Sequence, residues 1–544
     1  MQDKPIDDPL FEFEDAIRPA KGAAAQAKFD EQAYCEAFPD IARSIRLGEW
    51  DSAYDHYVKH GVGEDRLADP RYLRALRRGV APVMAEPAQF PAFGVDAVFA
   101  SRAGLCLVIG WIDDRDAALR EIVLNVRGRT AAATTHIARC RRADAEAAIG
   151  VAAGGLLGFW TVLRLPPGVR VPETCAIELF AGGATGSITV DPKQMNDAQL
   201  RDTVFEYFAA AAYLGNPQVE SFVQLTHGPG EELLRFNAAM SAEITSRAYV
   251  ERFGPQRASF DGSIIVCLYG KPEFLYLQSA LFAAGAGIAA YEFIYVCNSP
   301  ELTETLQREA RIAEQIYGLS LTLVFLPGNA GFGAANNVAA RHARSKRLLI
   351  VNPDVFPREA GWAQMHTALV EGLPAAQTSL FGVPLFYDDG SLMHGGMHFE
   401  IDTGVSVRSD GISPQRLVRV EHYGKGAPPD TQGLLRARPV PAVTGAFMSA
   451  DRDWFEKLGG FSEEYVFGHY EDADLCLKSL EAGRPVWMQN LPFWHLEGKG
   501  SDRRAAHDGG SLINRWHFTR RWGARIETDL NGPAPAFFAP RREA

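Results

Sequence analysis

The stretch SIIVCLYGKPEFLYLQSALFAAGAGIAAYEFIYVC, Ser263 to Cys297, places two nearly unbroken apolar runs on either side of a longer mixed segment. A short apolar run without polar alternation is what a strand buried on both faces requires. Gly270 and Pro272 end the first run, FLYLQSALFAA reads as a helix, and EFIYVC is a second strand. The pattern continues with a helix in ELTETLQREARIAEQIYG, a third strand in LTLVFL, a helix in AANNVAARHA and a fourth strand in RLLIV. Such alternation with short links predicts an α/β fold, a mostly parallel sheet covered by helices. Ligands of these sheets sit beyond the carboxyl ends of the strands, so chemistry is sought there.

Upstream the character changes twice. Tyr34, Phe38, Ile41, Ile45, Trp50, Tyr54 and Tyr57 recur at intervals near three and four, which predicts short amphipathic helices between Phe29 and Arg78. From Phe93 to Val190, six short strand-like runs separated by Gly, Pro and Asp turns predict a β-sandwich. Trp111 and Trp160 could stack on sugar rings, but each lies in an apolar run and reads as core. From Asp197 to Glu251 the pattern is helical again. The expected organisation is an acidic N-terminus with a small helical module (1–92), a β-sandwich accessory domain (93–192), a helical connector (193–260), the α/β domain (261–525) and a tail (526–544).

Composition narrows the function classes. The 544-residue chain is 47% hydrophobic and 22% charged, enough for more than one real core. Its formal net charge of -12 opposes a nucleic-acid partner, whose phosphates it would repel. Seven cysteines stand singly with no metal-ligand spacing, which fits a reducing compartment. The acidic N-terminus has no signal-peptide core, and no apolar run reaches spanning length. The expectation is a cytoplasmic protein.

At the predicted strand ends stand the candidate residues. The fourth strand runs into VNPDVFP, where Pro353 stops the ladder and leaves Asp354 as an exposed loop carboxylate able to hold Mg2+ or Mn2+. The turn GNAGFGAANN has a dinucleotide-like Gly331-Phe332-Gly333, but Asn336 replaces the third glycine and the turn follows the third strand, which speaks against a nicotinamide enzyme. Its backbone N–H groups could still approach a phosphate. GHYEDADLC gathers Glu471, Asp472 and Asp474, and on those residues alone acids favoured by a helix start are the better reading. His495, between Trp494 and Leu496, reads alone as a packed residue.

Taken in order, SIIVCLYGKPEFL, EFIYVCNSPEL, GNAGFGAANN, NPD, HGG, VTGAFMS, GGFSEEY, HYEDADLC and WHLEGKGS resemble the inverting family 2 glycosyltransferases of bacterial polysaccharide assembly. The resemblance covers Ser263 to Trp522 and implies a GT-A-type nucleotide-diphospho-sugar transferase fold. It assigns Asp472 as the base and Glu471 as support for base or acceptor. Asp354 and His495 become metal ligands, and Thr444 and Gly445 lie where acceptor and donor sugar meet. Leu268, Tyr269, Gly270, Asn298, Asn329, Gly331, Gly333, Asn336 and Asn352 line the donor side. The sequence departs from the family at the second strand end, where Cys297-Asn298 stands for a frequent aspartate, and at Asn352, the first position of the metal motif.

The implied partners are a nucleotide-diphosphate sugar and a glycan, lipid-linked or protein-linked acceptor, with peripheral contact to the inner membrane face through the acceptor. Two rivals remain: a non-catalytic carbohydrate-binding or assembly protein on the same fold, and a nucleotidyltransferase, which would release pyrophosphate.

Overall fold

The four strands expected to be parallel are Gly262–Leu268, Tyr291–Cys297, Ser320–Phe325 and Arg347–Val351. They come from a computed structural model that describes residues 29–61, 83–84 and 90–530, apart from residues 30, 38, 49, 103, 116–117, 151–154, 167, 214, 256, 409–410, 432 and 503. The acidic stretch 1–28, the end of the helical region (62–78) and the tail from 531 lie outside the described residues.

The chain divides into two units: Met1–Leu233 with Val405–Ser413 and Arg504–Leu512, and Leu234–Gly404 with Pro414–Arg503 and Ile513–Ala544. In the second unit the parallel strands lie in the order Ser320–Phe325, Tyr291–Cys297, Gly262–Leu268, Arg347–Val351. The order reverses between the first and fourth strands in sequence, and that switch point is where the carboxyl ends open a crevice. Both faces of the sheet are covered. Ile265, Cys267, Ile294 and Val296 enter one apolar core, while Ile264, Val266, Leu268, Phe293, Tyr295 and Cys297 enter the other. Alternate side chains point to opposite faces, so two buried faces demand apolar residues at every position.

Two expectations need correction. The sheet is mixed rather than mostly parallel, with nine strands among the described residues. Phe447–Asp451 runs antiparallel to Arg347–Val351, and Leu380–Gly382, Val486–Met488 and Arg438–Val440 extend it further. Three of these added strands have three residues each, too short to carry a periodic signal. On the other edge, Tyr249–Phe253 pairs antiparallel with Ser320–Phe325, although the sequence suggested a helix there. The preceding helix, Gly230–Ser246, ends before it.

In the first unit, strands between Phe93 and Met195 form two sheets. Val98, Val108 and Leu163 of one sheet share a core with Ile122, Leu124, Ile177 and Leu179 of the other. Trp111 and Trp160 are buried, as expected of core residues. A separate small core joins Tyr34, Ile41, Ala53 and Tyr57. No helix among the described residues is long and apolar enough to cross a membrane.

Candidate active site

The carboxyl ends of the four parallel strands share one edge of the sheet. Because Phe447–Asp451 runs the other way, its leading residues Thr444 and Gly445 arrive at the same edge, with Asn352 N–H donating to the Ala446 carbonyl at 2.8 Å. At the first strand end, the Leu268 carbonyl accepts from Asn298 N–H at 3.0 Å, while the Leu268 side chain is buried. Tyr269 bridges to Ser501, and Gly270, in the left-handed region at φ 70°, donates its N–H to Ser299 Oγ at 3.1 Å.

Asp354 is not the exposed loop carboxylate that the sequence suggested; it is 3% exposed. Val355–Pro357 pairs antiparallel with Phe493–His495, placing Val355 opposite His495. His495 Nε2 lies 3.4 Å from Asp354 Oδ1, and Asp354 Oδ2 accepts from the N–H groups of Gly500 at 2.9 Å and Lys499 at 3.2 Å. Burial pushes the Asp354 carboxyl up, but His495 and the surrounding backbone N–H groups outweigh it and hold the pKa below its ordinary value. Gln278, from the helix Glu273–Ala283, donates to the carbonyls of Asn352 at 2.7 Å and Val355 at 3.1 Å, bracing the turn on both sides of Asp354.

Two cis ligands of one small divalent cation stand about 3 Å apart, so the Asp354–His495 separation suits a shared ion. No third His, Cys, Asp or Glu joins them to form a metal-binding group among the described residues. The pair fits a cation whose remaining ligands are brought by a bound phosphate or water.

The acidic cluster separates into three roles. Asp472, partly exposed, accepts from Gly445 N–H at 2.9 Å through Oδ2 and from Ala473 N–H at 2.7 Å through Oδ1. Burial raises its pKa, and those N–H groups with the Thr444 hydroxyl oppose the rise. Glu471 is buried, its Oε2 has no hydrogen-bond partner among the described residues, and burial together with the Asp472 charge pushes its pKa well up. Asp474 is fully buried. It accepts from Trp522 Nε1 at 2.8 Å and Tyr465 OH at 3.4 Å, with Lys478 at 3.0 Å and Arg521 at 3.3 Å. A helix-start acid of little consequence, as the sequence implied, would not collect two cations; Asp474 is a structural hub.

The approach to this helix is strained. Phe467, His469 and Tyr470 all have positive φ, at 58°, 82° and 75°, a region L-residues rarely occupy and which costs about 1–3 kcal/mol each. The fully buried Asn514, from the Ala505–Leu530 helix, holds the loop: Oδ1 accepts from Val466 N–H at 2.7 Å, and Nδ2 donates to the carbonyls of Val466, Gly468 and His469. On the other side the loop meets the glycine turn. Phe332 N–H donates to the Phe467 carbonyl, and a Cβ on Gly331 would stand 3.3 Å from that oxygen. Gly333 lies equally close to Phe461 and Ser462, where a Cβ would come to 3.2 Å.

The turn's N–H groups at Ala330, Gly331 and Phe332 are engaged within the protein. Asn298 donates to Asn329 Oδ1 at 3.0 Å and accepts from Ala330 N–H at 2.9 Å, and Gly331 N–H donates to Asn329 Oδ1 at 2.8 Å. Asn336 turns back onto the Phe332 carbonyl of its own helix. The structure therefore gathers Asp354, His495, Thr444, Gly445, Asp472, Tyr269, Gly270 and Asn352 at the sheet edge, while Leu268, Asn298, Asn329, Gly331, Gly333 and Asn336 brace it. Sequence reasoning passed over Asn514 and Gln278. Each is a polar residue inside an apolar helical stripe, and that was the available signal.

No family model matches the chain. It is 26% identical over 235 residues to the uncharacterized protein y4gI of Sinorhizobium fredii, covering 43% of this chain and 24% of that protein. It is 25% identical over 254 residues to the O-antigen biosynthesis protein RfbC of Myxococcus xanthus, covering 46% of this chain and 18% of that one. The chain thus spans about a quarter or less of the curated relatives it matches. Among solved structures it is similar to GalNAc-T7 with UDP, GalNAc and Mn2+ (TM-score 0.35, 12% identity, 50% of each chain). It is also similar to the mannosyltransferase PcManGT of Pyrobaculum calidifontis with GDP-Man and Mn2+ (TM-score 0.31, 15% identity, 58% of this chain and 88% of that one).

Proposed function

We propose that this chain transfers a sugar, with inversion, from a nucleotide-diphosphate sugar to a hydroxyl of a glycan, lipid-linked or protein-linked acceptor during surface polysaccharide synthesis. The observation that carries the reading is Asp472, a partly exposed carboxylate oriented by Gly445 N–H at the sheet edge that also holds Asp354 and His495. Burial raises its pKa while the N–H groups limit the rise, a balance suited to a general base. In this reading Asp472 takes the proton from the acceptor hydroxyl as its oxygen attacks the anomeric carbon opposite the departing diphosphate. One displacement inverts the centre, so no nucleophile of the chain is required. Asp354 and His495 would hold a divalent cation, Mg2+ or Mn2+, which when bound supplies Lewis-acid neutralisation of charge on the leaving diphosphate. The Myxococcus xanthus relative is an O-antigen biosynthesis protein, a role of the same kind.

The test uses the full chain with a panel of nucleotide sugars and Mn2+, following release of nucleoside diphosphate and transfer to acceptor. Asp472→Asn keeps shape and hydrogen bonding but loses the basic carboxylate. It should depress transfer by about 10²–10⁴-fold with donor affinity preserved. Transfer by the variant at the wild-type rate would remove the base. Absence of nucleoside diphosphate release with every donor would favour the non-catalytic carbohydrate-binding reading, and pyrophosphate release would favour a nucleotidyltransferase.

A further inference from the structure

The segment after His495 lies against the two poles of the proposed donor site. Its N–H groups at Lys499 and Gly500 are spent on the Asp354 carboxylate. Ser501 bridges to Tyr269 at the end of the first strand. Asp502 Oδ1 pairs with Lys271 Nζ at 2.9 Å, and the same carboxylate lies on the Gly270 backbone, where a Cβ would meet Asp502 Oδ2 at 2.4 Å. A Cβ on Gly500 would likewise meet Asp354 Oδ1 at 2.7 Å. Both close approaches exist because positions 270 and 500 carry no side chain. Near the start of the segment, Glu497 accepts from Tyr387 OH at 2.7 Å and stands 3.4 Å from Lys425.

The charges are matched crosswise. The segment offers N–H donors to the Asp354 carboxylate and a carboxylate to the adjacent lysine. Lys271 stands three residues past the first strand end, beside the switch point, where an anionic ligand of such a sheet would arrive. Asp502 and Lys271 are 40% and 30% exposed, so their pair is weak and exchangeable. A diphosphate carries more charge than one carboxylate and would displace it.

We propose that Asp502 occupies a phosphate position of the donor site in the free protein, and that Lys271, once released, binds the donor diphosphate. This deepens the sugar-transfer reading and rests on it for the identity of the ligand. The Leu496–Asp502 segment then acts as an internal competitor, and donor binding is an exchange of one anion on Lys271 for another.

The experiment is calorimetric titration of the full chain with inorganic pyrophosphate, UDP, GDP and dTDP, with the matching nucleosides as phosphate-free controls. Asp502→Asn removes the competitor and should tighten binding by roughly threefold to fivefold. Lys271→Ala should weaken it by about tenfold and flatten its salt dependence, while Lys271→Arg keeps most of the affinity. The nucleosides should not distinguish the variants. Nucleotide binding indifferent to all three substitutions overturns the inference and leaves the sugar-donor reading standing. Pyrophosphate binding that depends on Lys271, without any nucleotide binding, supports the inference and sinks the sugar-donor reading. If neither wild type nor Asp502→Asn binds any of these anions, the inference falls.

Discussion

Glu471 and Asp472 are neighbours with opposite situations. Asp472 has two N–H donors on its carboxylate, whereas Glu471 is buried beside that charge with one oxygen unpartnered among the described residues. Burial and the Asp472 charge lift the Glu471 pKa well above its ordinary value. A carboxyl raised in the folded state binds its proton more tightly there than in the unfolded chain. Its contribution is therefore fully present below the ordinary carboxylate value, about 4.3, and is lost as pH rises toward the folded value. Glu471→Gln removes that loss. The variant should gain about 1–3 kcal/mol over wild type at pH 8, the scale of an unmatched buried polar group, and little at pH 4. Thermal melts across that range check it; parallel curves for the two proteins would show that Glu471 carries no such cost. At this scale the sequence singled out the acids but not their ranking. Nothing in DAD distinguishes Asp474, whose Trp522 and Arg521 partners lie 48 and 47 positions away.

At the scale of elements, the decisive piece is the turn before the Glu471–Glu481 helix. Its N-cap, Tyr470, is left-handed and provides no side-chain cap, so the helix start is held from outside. Four hydrogen bonds from Asn514 offset strain at Phe467, His469 and Tyr470. Asn514→Leu keeps approximate volume and removes all four. It should cost about 1–3 kcal/mol or more by stranding buried carbonyls, measurable by urea unfolding. It should also lower kcat for transfer more than donor affinity, because the loop orients Asp472 rather than the donor. A loss of transfer that only tracks the folded fraction would make Asn514 purely structural. The apolar strands of this unit were readable because burial on both faces writes itself into consecutive residues. The clamp was not, because its two halves are separate in sequence and join only through packing.

For the whole molecule, the proposed chemistry belongs to the second unit, and Tyr34, Ile41, Ala53 and Tyr57 of the first unit form a cluster of their own. Removing residues before Phe93 should leave donor hydrolysis within about twofold of the full chain, because every residue proposed for the chemistry lies in the second unit. Complete loss in a truncated protein that still melts cooperatively would show that the site borrows residues from upstream. The sequence by itself determined the four parallel strands, their helices and the residue types at the strand ends, since hydrophobic periodicity and turn chemistry act between near neighbours. Only the tertiary structure decided the mixed sheet, the burial of Asp354 and Asp474, and the convergence of the Gly445, Asp472 and His495 segments on one edge. The bond from Gly500 N–H to Asp354 spans 146 positions. Contacts at that range depend on how two cores pack around one sheet, and no local pattern along the chain records which distant strand of three residues will pair with which.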